Sequence, residues 1–158
     1  MSRFSRARDR FAGVVREVSG RRVGDAYALQ KVMDQAFSKL GEAAKQVIVE
    51  VLLDEFSQLQ QSTPYDTGRA QAGWLISGEG NAIAFYPKEG AGGGFKKQQP
   101  GMGSLMKSDL IYVINNVEYV LYLEAGWSKR QPGGFVAKFL ANCKRRIAAE
   151  CAAMSRVN

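Results

Sequence analysis

The chain has no histidine, two cysteines and four prolines in 158 residues. Without histidine it lacks the commonest general base and the commonest metal ligand. Two isolated cysteines cannot close a zinc site of the Cys/His type. Cys143 and Cys151 stand in one helical pattern, roughly 12 Å apart along its axis, too far for a bridge, so two buried thiols are expected. No apolar run approaches the ~18–20 residues that a membrane span requires, and "MSRFSRARDRF" lacks the apolar core of a secretory signal. The default expectation is one cytoplasmically made domain with no membrane partner.

What is present is unevenly distributed charge. Residues 1–22 carry seven arginines against Asp9 and Glu17, and residues 129–158 carry seven basic side chains against Glu150. Between them, residues 23–128 have eight basic and twelve acidic side chains, so an acidic body lies between two basic ends. This asymmetry suits docking onto a polyphosphate, an acidic protein face, or a neighbouring copy of the same chain.

Apolar spacing sets the expected elements. "RFSRARDRFAGVVREV" has no fully clean amphipathic stripe, although a helix there would gather Phe4, Phe11, Val14, Val15 and Val18 on one side. Residues 1–24 are expected to be a basic arm that orders on a partner. From Asp25, a reasonable N-cap, to about Gln61, apolar residues recur at three- and four-residue steps, as in a helix of roughly 55 Å if unbroken. Gly41 is expected to kink or split it. "GWLIS" and "NAIAFYP", separated by "GEGN", read as a hairpin, and "DLIYVINN" as a third strand. Residues 88–104 contain six glycines and read as a mobile loop. "VEYVLYLEAGW" favours a short helix over a strand. A closing helix runs from Phe135 to about Met154, with Val136, Phe139, Leu140, Cys143, Ile147 and Cys151 on one face. The expected fold is α+β: a long N-terminal helix, a three- to four-stranded antiparallel sheet, and a C-terminal helix packed on the sheet, in a single domain over 25–158.

Candidate chemistry is thin. "GAGGGF" lacks the Ser or Thr of a P-loop, and Phe95 stands where a Rossmann fingerprint needs its third glycine. The carboxylate pairs Asp54–Glu55 and Glu118–Glu124 read as solvated helix surface. Arg3, Arg6, Arg8, Arg10 and Arg16 belong to no recognised nucleic-acid module, which leaves non-specific, salt-dependent phosphate contact. The stretch "STPYDTGRAQAGW" reads first as a corner. Pro64 stops the helix, Asp66 and Thr67 accept from nearby backbone N–H groups, Gly68 takes a positive φ, Arg69 starts a turn, and Trp74 enters the core.

Three ordered segments say more. Thr63, Pro64, Asp66, Thr67, Gly68 and Arg69 come first; Asn116, Tyr119, Tyr122, Glu124, Gly126 and Ser128 second; Pro132, Gly134, Phe135 and Val136 third. Together, over residues 25–150, they resemble the signature of a bacteriophage tail-component family, the head–tail joining (tail-completion or neck) proteins of the minor tail protein Z-like kind. The arginine-rich arm and the glycine-rich loop depart from that signature. The resemblance implies a structural virion protein at the head–tail junction, not an enzyme, with no cofactor and no metal. It would form a ring, a hexamer or dodecamer, around the DNA channel, next to head-closure or adaptor proteins and the tail terminator or tail tube. Arg3, Arg6, Arg8, Arg10, Lys96 and Lys97 would then be the side chains that meet DNA, the lumen or a partner. The competing readings are a tail terminator capping the tail tube, a non-specific DNA-binding accessory protein, and a carboxylate hydrolase using a metal.

Overall fold

The structure, a computed structural model, describes residues 28–36, 38–78, 84–99, 101–108 and 110–157. The N-cap expected at Asp25 and the arm with Arg3, Arg6, Arg8 and Arg10 lie outside these residues.

The expected long helix is two helices. Helical residues 28–36 and 38–40 form α1, and α2 spans Glu42–Ser62. Gly41 separates them with φ 60° and ψ −140°, a backbone state open to glycine and strained for a residue with Cβ. The interruption therefore splits the run rather than bending it. Thr63, extended at φ −68° and ψ 130°, ends α2, as the residue before Pro64 must. A short turn of helix, α3 (Arg69–Ala72), leads into β1 (Trp74–Ser77). Then come α4 (Met102–Met106), β2 (Tyr112–Asn115), α5 (Val120–Glu124) and α6 (Phe135–Val157).

Among the described residues the sheet has two antiparallel strands instead of three or four, pairing Trp74 with Asn115 and Ser77 with Tyr112. The expected β1 hairpin partner, residues 81–87, falls partly outside the described residues, and its described part forms no strand. There the Phe85 carbonyl accepts from Asn116 Nδ2 at 2.9 Å. The loop expected over 88–104 contains a tight reversal, with Glu89 bridged to Phe95 and Gly93 and Gly94 at positive φ. Its last residues already belong to α4, and Gln60 Nε2 on α2 donates to the Gln98 carbonyl at 3.0 Å.

The C-terminal helix packs chiefly along α2, not on the sheet. Length explains this. A 23-residue helix runs about 34 Å, whereas four-residue strands reach only about 13 Å. Phe135, Phe139, Cys143, Ile147 and Cys151 of α6 share one core with Ile48, Leu52, Phe56 and Leu59 of α2. The sheet joins this core through Trp74, whose ring meets Phe135 edge-on at 6.5 Å. Both cysteines are free and buried, as expected. Burial, first, and then the Glu55 charge push the Cys143 thiol up to about 12, with Arg146 opposing.

Candidate functional site

The three segments singled out in the sequence meet in one junction at the end of α2. Its centre is Thr63, which has no exposed surface. Its hydroxyl donates to the Leu59 carbonyl at 2.7 Å and accepts from Trp74 Nε1 at 2.8 Å. Its carbonyl accepts from Gln71 Nε2, also at 2.8 Å. A threonine that ends a helix thus pins the indole that starts the strand, which satisfies a buried polar group at each end. Gly68 takes φ 85°, and a Cβ there would meet the Tyr65 ring at 2.9 Å. Gly73 is closed from the other side, since a Cβ would stand 2.5 Å from Asn115 Oδ1.

The second segment docks onto this corner. Asn115 Nδ2 donates to the Ala70 carbonyl and its Oδ1 accepts from the Val117 N–H, at 2.8 and 3.0 Å. Arg69 forms a two-pronged pair with Glu118 at 3.0 and 3.2 Å. Glu118 is held below the ordinary carboxylate value, first by its own backbone N–H and then by Arg69. That bond in turn raises Arg69. After α5 the chain reverses in a Schellman motif. Gly126, at φ 91°, donates to the Leu123 carbonyl and Trp127 to that of Tyr122, while the Tyr122 and Trp127 rings meet at 4.8 Å.

Glu124 ties the second segment to the third. Its carboxylate accepts from the Val136 and Ala137 N–H groups at 2.8 and 3.2 Å, and its carbonyl accepts from the Gly134 N–H at 2.9 Å. A buried carboxylate from α5 thereby caps α6, where free N–H groups and the helix dipole both favour negative charge. Gly133 is pressed against it: a Cβ would stand 2.4 Å from the Glu124 carbonyl oxygen. Pro132 is exposed just before this contact, and Gly134 takes φ 81°. Arg130 closes the junction from outside, donating to the Tyr65 carbonyl at 3.3 Å and standing 3.4 Å from Asp66. Thr67 Oγ1 and Ser128 Oγ each accept a local N–H, from Arg69 and Arg130.

The carboxylates expected on solvated surface are thus partly buried. Glu124 is 7% exposed and Glu55 is 6%. Glu55 pairs across the α2–α6 seam with Arg146 at 2.9 Å and accepts from Asn142, while Arg146 also bonds Asp54. Asn115, Gln71, Arg130 and Arg146 were missed in sequence. Asn115, Arg130 and Arg146 bond partners 45, 65 and 91 residues away, which leaves no local pattern to read. Lys96 and Lys97 lie exposed after the Glu89–Phe95 reversal, and neither lines the junction cleft.

The junction presents a cleft of about 360 Å³ whose lining includes Tyr65, Thr67, Arg69, Tyr119, Lys129 and Arg130. Tyr65 is 53% exposed, Tyr119 37% and nearby Trp127 57%. Exposed aromatic faces beside arginines are the composition of a recognition surface. The molecule is therefore a small α+β domain whose ordered motif builds one rigid, aromatic-bordered corner. In comparisons with family models, curated proteins and solved structures, nothing matches the chain. Among the described residues no helix is long and apolar enough to cross a membrane.

Proposed function

We propose that this chain is a structural subunit at the head–tail junction of a bacteriophage virion, forming a ring around the DNA channel and joining tail to head. The observation that carries the reading is the convergence of the three segments that resemble head–tail joining proteins. Thr63, Gly68, Arg69, Trp74, Glu118, Glu124, Gly126 and Gly134 take part in one hydrogen-bonded unit, to which Asp66 adds an exposed ion pair with Arg130. Within this unit Thr63, Trp74 and Glu124 are buried and committed to holding shape, whereas Tyr65, Tyr119 and Trp127 face outward together with Asp66, Glu118 and Arg130. A ring subunit needs this division, a stiff scaffold with aromatic contact points and complementary charge between copies. Adjacent head-closure or adaptor proteins and the tail terminator or tail tube are the further partners, and DNA contact is non-specific.

The reading is tested by in vitro complementation. Purified full-length chain is added to filled heads and free tails made without it. Restored joining and infectivity is the expected result. Binding of the chain to tail ends alone would favour a tail terminator, and salt-sensitive binding to free duplex with no effect on joining would favour a DNA accessory protein.

A further inference from the structure

The junction cleft is built to receive a side chain from outside. Its lining sets the small, buried Gly68 and Ala70 beside the exposed rings of Tyr65 and Tyr119. Small residues among aromatic edges leave room for one inserted apolar anchor. Two cations border that space. Lys129 is exposed and makes no hydrogen bond or ion pair among the described residues. Arg130 meets Asp66 only at 3.4 Å, with both side chains mostly in solvent. So exposed a pair contributes little, which leaves Arg130 as well as Lys129 open to a carboxylate from elsewhere.

The same molecule carries a side chain of the matching kind. Leu110 is 59% exposed, and apart from Val157 near the C-terminus it is the only exposed large aliphatic residue among those described. Asp34 and Glu42 share one concave lining with it, against Lys45, so its surroundings have an acidic excess. Leu110 and the cleft lie at opposite ends of β2. Asn115, at the end of that strand, bonds Ala70 in the cleft, whereas Leu110 precedes its start, up to roughly 17 Å away for five extended residues. We infer that Leu110 of one copy inserts into the junction cleft of a second copy, with Asp34 and Glu42 facing Lys129 and Arg130. The contact joins two different surfaces, so each copy offers its own free leucine to the next, as in a ring. The inference deepens the ring reading by naming its contact and rests on that reading for closure of the ring. The pairwise contact itself is read in solution, without heads or tails.

The test mixes two full-length variants, Leu110→Cys and Lys129→Cys, one of them carrying a size tag. Both positions are exposed and the native cysteines are buried, so folding is not at stake. Under mild oxidation the mixed 110–129 disulfide is expected to form about tenfold faster than either homodimer, read on a non-reducing gel. A homodimer forming as fast as the mixed species, or no dimer at all, would overturn the proposal. In sedimentation velocity, Leu110→Asp is expected to weaken self-association by about tenfold or more with Tm unchanged. Lys129→Glu/Arg130→Glu is expected to weaken it likewise, and mixing those chains with Asp34→Lys/Glu42→Lys chains to restore pairing. A native chain that stays monomeric, or association indifferent to Leu110→Asp, would also overturn it. Failure to join heads to tails with the 110–129 bond still forming would remove the virion reading and leave this contact standing; restored joining without the bond would do the reverse.

Discussion

Replacing Thr63 with valine keeps the shape of the side chain and removes its hydroxyl. The Leu59 carbonyl keeps a partner, because the Thr63 N–H still reaches it at 3.2 Å. The Trp74 Nε1–H, buried and bonded at 2.8 Å to the lost oxygen, keeps none. An orphaned buried donor plus one lost net hydrogen bond amounts to about 2–3 kcal/mol. For a chain of this length that lowers Tm by roughly 5–10 °C. Trp74→Phe removes the donor itself, so adding Thr63→Val to that background then costs only about 1 kcal/mol. The two substitutions are thus predicted to be coupled by about 1–2 kcal/mol in a double-mutant cycle, read by urea unfolding with far-UV circular dichroism. Additivity within about 0.5 kcal/mol would refute the claim that the threonine acts through the indole.

Glu124→Ala is predicted to destabilise by about 2 kcal/mol and to fray the first turn of α6, seen as faster amide exchange confined at first to 135–138. Gly73→Ala, with a Cβ driven into Asn115 and Val117, is predicted to cost about 1–3 kcal/mol. Gly92→Ala, with nothing within 4 Å, stays within about 0.5 kcal/mol by the same unfolding assay. Cys143 titrates at about 12 when folded against an ordinary 9.0, so the unfolded chain loses that proton first as pH rises. Its contribution to stability is complete below pH 9 and declines between 9 and 12. Cys143→Ala should flatten the fall in stability over that window, and iodoacetamide should label Cys143 only as fast as the chain opens.

Periodic features were legible in the sequence. The α6 face, the short helix at Val120–Glu124 and the strands around Leu75 and Val113 follow from apolar spacing and local turn residues. The break at Gly41 was readable as an interruption, but its outcome depends on a backbone angle that spacing does not encode. The strand pairing was not legible. β1 has turn residues after it that invite a hairpin, yet Gly73 packs on Asn115 and Val117, and that contact brings in β2. The corner was legible as a corner because proline and glycine restrict the backbone locally. The roles of Glu124 and Glu55 were not, because a carboxylate on a helix looks solvated until its partners arrive from 12 or 91 residues away.

The proposed place of this chain is the joint between head and tail. If the proposal holds, the gene belongs to a phage, and the most direct measurement is electron microscopy of a lysate of that phage with this gene interrupted. DNA-filled heads beside free tails of normal length are the predicted result. Overlong tails, or intact infectious particles, would contradict it.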